Sequence, residues 1–229
     1  MDKEIGFNGQ FSNEYDSLAD KIIPAYQSIY ELAQYLLRDR LRAQAKILVA
    51  GSGTGKEIID WAQNNSKWSF TGFDPAKPMH TVAKRKISAA CLEERITLIQ
   101  GQIHDVTEKD FDAATTILVM HFLPDNGTKL KFLKSLADKL KSGAPLVLVD
   151  LEGDMGSDEF KVLNSAWKNH QISIRNDNEK VEEEFLMREK EVHFISQKRI
   201  ESLLKQAGFV KTHKFFKAYL FGGYIAEKK

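Results

Sequence analysis

The sequence predicts an α/β protein built on a seven-stranded, mostly parallel sheet with an antiparallel last strand. Three observations predict it. Apolar strand-like runs alternate with helical patterns along most of the 229 residues, and such alternation implies right-handed crossovers and parallel strands. Four consecutive apolar residues, Ile47 to Ala50, run directly into glycines at 51, 53 and 55, the pattern of a buried strand entering a tight turn. Two closing strands, near 209–217 and 219–227, have only Lys217-Ala218 between them. A crossover needs a dozen or more residues, so these two strands must be antiparallel neighbours.

The elements follow in order. A long helix covers about 15–42, with Leu18, Ile22, Ile29, Leu32, Leu36 and Leu37 as its apolar stripe. Pro24 kinks or splits it, because proline lacks an N–H and clashes with the preceding turn. Strand 46–50 and helix 56–64 come next, then strand 68–73 and helix 77–90. Strands 96–100 and 114–119, helix 127–141 and strand 145–151 continue the alternation. Helical and polar segments fill about 157–190, and helix 196–206 precedes the closing strands. The chain reads as a single domain, 1–229. An N-terminal helical segment, 1–44, and an insert, 152–194, form a small helical cap over the substrate.

Composition excludes some partners. Lysine and arginine number 33 and aspartate and glutamate 32, so no global field draws the chain to nucleic acid or membrane. The runs Lys84-Arg85-Lys86 and Lys211-Thr-His-Lys214 are short; they read as solvated surface rather than the clustered basic face of a nucleic-acid enzyme. Cys91 is the only cysteine, which forbids disulfides within the chain and suits a reducing compartment. No signal peptide or apolar run near 18 residues is seen, so the expectation is a cytoplasmic protein. A homodimer is compatible with these features.

The glycine loop narrows the ligand. Ligands of open α/β sheets bind at the carboxyl ends of the strands, and glycine lets the backbone bend where a Cβ would clash. A P-loop requires four residues between its glycines, then Lys and a hydroxyl residue. Here Glu57 follows Lys56 and Ala50 stands five before Gly55, so that reading fails. The dinucleotide fingerprint wants glycine where Lys56 stands. The second strand, Trp68 to Phe73, ends in Asp74, 23 positions after Gly51. An acid at that distance suits the two hydroxyls of a ribose, and Asp74 also suits an N-cap for the helix from Lys77.

Gly-Ser-Gly-Thr-Gly at 51–55 resembles the first motif of the class I S-adenosylmethionine (SAM)-dependent methyltransferases, and Asp74-Pro-Ala-Lys-Pro-Met79 resembles their second. The details lean toward the carboxy-SAM synthase branch. Ile23-Pro-Ala-Tyr26 is similar to its Val-Pro-Gly-Tyr, and Gln100-Gly-Gln-Ile-His-Asp105 to its Gly-Asp-Ile-Arg-Asp turn. Phe122-Leu123, the strand entry Lys141-Ser-Gly-Ala-Pro-Leu, Ala207-Gly-Phe209 and Phe221-Gly-Gly-Tyr-Ile-Ala226 complete the pattern. The resemblance implies a Rossmann-like class I methyltransferase fold. It implies S-adenosyl-L-methionine held by Tyr26, Gly51, Ser52, Gly53, Gly55, Asp74, Pro75, Met79, Gln102, Ile103 and Met120, with no metal.

Three positions depart from the family. Val49 stands where it usually has an acid, Gln102 where it has an adenine-side Asp, and no arginine falls securely where carboxy-SAM synthases hold their extra carboxylate. That position falls near Phe185, and Arg188 is the nearest arginine. Asp105 is the candidate to take part of the missing acid's role. Ordinary methyl transfer to a small-molecule acceptor is the favoured reading. Its alternatives are a carboxy-SAM synthase-like enzyme, a tRNA-modifying methyltransferase and a SAM-binding protein without catalysis.

SAM brings its own electrophile, so the protein's part is binding, orientation and electrostatics. His121, leaving the carboxyl end of the fourth strand, is the candidate general base. Tyr15, with Phe11, on the N-terminal segment and Trp167 and Arg188 in the insert are the candidate acceptor contacts.

Overall fold

The computed structural model describes residues 9–229, with side chains from Ser12 onward, so Phe11 lies outside the described side chains. Pro24 splits the N-terminal helical stretch into α1 (Gly9–Ile22) and α2 (Tyr26–Arg38). The break is sharp because Ala25 takes a left-handed conformation, φ 55°, which ends one helix and redirects the next. Then follow β1 (Ala45–Ala50), α3 (Lys56–Asn64), β2 (Trp68–Asp74), α4 (Lys77–Ala89), β3 (Ile96–Gln100), β4 (Ala113–Ile117), α5 (Thr128–Ala137) and β5 (Pro145–Leu151). The insert is two helices, α6 (Asp158–Arg175) and α7 (Asn178–Glu191), before α8 (Gln197–Gln206), β6 (Phe209–Ala218) and β7 (Phe221–Lys228).

The strands form one sheet in the order β3-β2-β1-β4-β5-β7-β6. All neighbours through β5 pair in parallel, and β7 runs antiparallel to both β5 and β6. Alternate residues of β1 serve opposite faces, as the pleat requires. Ile47 and Val49 pack with Ile29, Ala33 and Leu37 of α2 and Ile58 and Trp61 of α3. Leu48 and Ala50 pack with Leu133 and Leu136 of α5 and Ile200 and Leu203 of α8. Helices therefore cover both faces, which is why β1 is apolar throughout. No helix among the described residues is long and apolar enough to cross a membrane.

Several element boundaries differ from the sequence reading, the N-terminal helical stretch running from Gly9 to Arg38 rather than 15–42. The fourth strand ends at Ile117 rather than 119, because Leu118 turns to φ 60° and Met120–Phe122 wind into a 3-10 turn. Helix α5 ends at Ala137, short of 141, and Phe111 and Leu140 then form a parallel bridge. The order of strands reverses at β1: β2 and β3 lie on one side, β4 and β5 on the other. The carboxyl ends of β1 and β4 flank that switch point, where ligand crevices open in sheets of this kind.

Candidate active site

The loop after β1 is hung on the end of β2. The N–H groups of Gly51 and Ser52 donate to the Phe73 carbonyl at 2.9 and 3.0 Å, and that of Gly53 donates to Asp74 Oδ2 at 2.9 Å. The other Asp74 oxygen accepts the Ala76 N–H at 2.8 Å. Asp74 thus serves the turn before α4 without being its N-cap, which is Ala76. Burial pushes its carboxyl up, and the two backbone donors oppose that shift. The three glycines differ in what requires them. A Cβ on Gly51 would overlap Val119 of the β4 loop, and one on Gly55 would meet Ala83 Cβ of α4 at 3.2 Å. A Cβ on Gly53 would meet only the Gly51 carbonyl oxygen, at 4.0 Å. The space over Gly53 is open, and its φ of 49° is one that a side chain strains.

The β4 terminus carries a second arrangement. His121 Nδ1 is hydrogen-bonded to Asp150 Oδ1 of β5, and both residues are buried. Asp150 Oδ1 also accepts the Leu151 N–H at 2.8 Å, which fixes the carboxylate. A carboxylate on Nδ1 holds the ring in the tautomer that leaves Nε2 as the acceptor. Lys129 of α5 pins the 3-10 turn by donating to the Met120 carbonyl at 2.7 Å. Its ammonium is buried; that lowers its pKa, against the pull of Asp150 and Asp125. From the cap side, the His193 N–H donates to the His121 carbonyl at 2.9 Å.

Comparisons with known proteins point to methyltransferases. A family model described as a methyltransferase domain matches residues 48–146, the stretch from β1 into β5. A carboxy-S-adenosyl-L-methionine synthase from Desulfotalea psychrophila is 19% identical over 99% of this chain and 93% of its own length. A demethylmenaquinone methyltransferase from Lactiplantibacillus plantarum is 23% identical over 95% of each chain. Among solved structures, a SAM-dependent methyltransferase from Methanosarcina mazei superposes with a TM-score of 0.62 at 18% identity, over 84% of this chain and 96% of that one.

The fold, the domain match and these relatives together support a class I SAM-dependent methyltransferase.

The residues present fit SAM on the structure's own terms: Gly53 leaves a cradle that a Cβ would fill, and Ser52 Oγ is buried with no hydrogen-bond partner. Of the residues predicted from sequence, Gly51, Ser52, Gly53, Gly55 and Asp74 come together around that cradle. Met120 and Met79 are buried, at 1% and 3% exposure, on the β4 turn and on α4. Pro75 and Gln102 stand exposed after β2 and β3, and Ile103 is half-buried beside Gln102. Asp105 is engaged within its own turn. Its carboxylate accepts the Gln102 N–H at 2.8 Å in a reciprocal capping box of the 3-10 turn Ile103–Asp105, which also occupies the Gln102 side chain.

The N-terminal helices of the methyltransferase lie against the loop. Thr54 Oγ1 donates to Asp16 Oδ1 at 2.6 Å, Lys86 of α4 pairs with Asp16, and Arg85 donates to Asn13 at 2.8 Å. Tyr15 is consequently within electrostatic reach of Asp74; burial first, then Asp16 and Asp74, push its phenol up to about 12. Tyr26 is 2% exposed and accepts from the Tyr30 hydroxyl at 3.2 Å, with the rings edge to face.

The cap corrects one expectation and sharpens another. Trp167 is 2% exposed, packs edge to face on Phe185 and Phe221, and donates its indole N–H to the Ile22 carbonyl at 2.8 Å. With its faces covered and its polar atom used, it organises the cap instead of contacting an acceptor. Arg175 holds Glu184 at 2.8 Å, and among the described residues Arg188 pairs with no glutamate. Its guanidinium lies 4.3 Å from the ring centres of both Trp167 and Phe185, and Nη1 has no hydrogen-bond partner. Burial lowers its pKa to about 10.

Sequence reasoning missed Asp150, Lys129 and the pair Glu57–Thr115, whose hydroxyl donates to the carboxylate at 2.6 Å. Asp150 had a signal: like Asp74, it is an acid near the carboxyl end of an apolar strand.

Proposed function

We propose that this methyltransferase moves the methyl group of SAM to a small molecule whose attacking atom must lose a proton. The His121–Asp150 pair carries the proposal. SAM supplies a methyl carbon already activated by a sulfonium. Gly51, Ser52, Gly53 and Gly55 give it backbone room, Asp74 takes its ribose, and Tyr26, Pro75, Met79, Gln102, Ile103 and Met120 line its remaining length. Asp150 orients His121 and stabilises the imidazolium that forms when Nε2 takes the acceptor's proton. The cap helices α6 and α7 cover the acceptor and exclude water. Tyr15 and Arg188 are its candidate contacts.

The whole-length relatives named above support a small-molecule acceptor, and the near-zero net charge gives no global pull toward tRNA. One observation favours a second reading. The unpartnered Arg188 Nη1 suits a carboxylate, and a carboxy-SAM synthase from Nautilia profundicola is 24% identical over all of this chain. Mass spectrometry of the ligand that co-purifies with the protein separates the two. SAM or S-adenosylhomocysteine supports methyl transfer; the carboxylated species supports the synthase. Release of S-adenosylhomocysteine across a panel of phenols, alcohols and amines then tests catalysis. Binding without turnover on every acceptor class contradicts it.

A further inference from the structure

Close to the ends of β1 and β4 lies a buried acid that the chemistry above does not use. Glu57 is the second residue of α3, 7% exposed, and Thr115 of β4 donates to its Oε1 at 2.6 Å. Thr115 is the register partner of Val49. The carboxyl therefore stands near the carboxyl ends of β1 and β4, at the switch point. Around it are Tyr26 and Tyr30 of α2, which feel its charge, and Tyr15 of α1, which is coupled to Tyr26. On its own helix Lys56 is engaged by Asp60 at 2.9 Å, and Asp74 is engaged by Gly53 and Ala76. Glu57 forms no ion pair among the described residues, and burial pushes its carboxyl up to about 7. A buried carboxyl without a cation stays protonated or waits for one.

We infer that Glu57 is the counter-charge for the ammonium group of the bound cofactor's amino-acid end. Ligand entry converts its neutral carboxyl to a carboxylate, and the proton leaves to solvent. The inference rests on the SAM-binding reading above. It adds a consequence of its own: cofactor binding is proton-linked near neutrality.

Calorimetric titration of SAM and of S-adenosylhomocysteine, in buffers of differing ionisation enthalpy at pH 6, 7 and 8.5, tests it. Both ligands carry the ammonium and only SAM the sulfonium. The expected result for the wild type is release of up to about half a proton per ligand at pH 7, for either ligand, with affinity rising from pH 6 to 7 and the release lost by pH 8.5, where the ligand's own α-amino group is deprotonated. Glu57→Gln keeps the Thr115 bond; it is expected to lose the proton release at pH 7 and to bind roughly tenfold or more weakly, with no rise in affinity from pH 6 to 7. The wild-type titration decides alone if that variant does not fold. Binding without proton release, the same release in Glu57→Gln, or release with SAM only each overturns the assignment. No SAM binding by the wild type overturns it together with the cofactor site.

Discussion

Asp74 and Gly53 are joined by a 2.9 Å hydrogen bond from backbone N–H to carboxylate, across the ends of β2 and β1. The bond fixes the carboxylate beside the one glycine of the loop with open space over its Cα. Gly53→Val should therefore fill ligand space while the sheet stays intact. Calorimetry should show SAM binding lost, with the melting temperature lowered only by the strain of a side chain at φ 49°, about 1–2 kcal/mol.

Gly51 should behave oppositely. A Cβ there overlaps Val119, so Gly51→Ala should destabilise the fold by about 1–3 kcal/mol through overpacking. Chemical denaturation measures this; a stability equal to wild type would show that the β4 loop yields without cost.

His121 and Asp150 should fail together in catalysis. His121→Ala is expected to lower kcat by about 10²-fold or more at neutral pH on an acceptor with an alkaline pKa. Asp150→Asn is expected to do nearly the same by releasing the ring. The double variant should cost little more than either single one, because the pair acts as a unit. Additive losses in steady-state kinetics would separate the two residues. Unchanged kcat in both would leave the acceptor to ionise without help.

Glu57 should make the ligand-free protein less stable as pH rises. Its folded-state pKa is raised from 4.5 to about 7 by burial, so between these values the folded state binds more protons than the unfolded one. The stabilisation is fully present below pH 4.5 and is lost as pH climbs through about 7, on the order of 3 kcal/mol in all. Urea denaturation at pH 5 and pH 8 should show this slope in the wild type, and Glu57→Gln should flatten it.

Trp167→Ala should loosen the cap. The side chain is buried among Phe185 and Phe221 and ties α6 to Ile22, so its loss is expected to cost about 3–5 kcal/mol. Hydrogen exchange should show faster opening of α6 and α7 than of β1 and β4.

The sheet and the glycine cradle were legible because their signals are local. An apolar tetrad, three spaced glycines and an acid at the end of the next strand all lie within one crossover unit. Pro24 likewise marked a break that the structure shows. The partners that complete the site were not legible. Glu57 with Thr115 and His121 with Asp150 are separated by 58 and 29 residues, and their meeting depends on which strands lie side by side. Strand order follows from packing, which residue spacing does not encode. In the cap, glutamates surround Arg188 in sequence, but the reversal at Asn176, φ 51°, brings Arg175 to Glu184.

The most direct test of the account is a calorimetric SAM titration of the wild type beside Asp74→Asn. Asn keeps an oxygen for the Gly53 N–H and gives up the charge that a ribose would use. The account predicts saturable binding to the wild type and affinity weakened roughly tenfold or more in the variant, which still folds cooperatively although its melting temperature falls because the Ala76 N–H loses its acceptor. Equal affinity in the two proteins would place the cofactor elsewhere and contradict the cradle of Gly53 and Asp74.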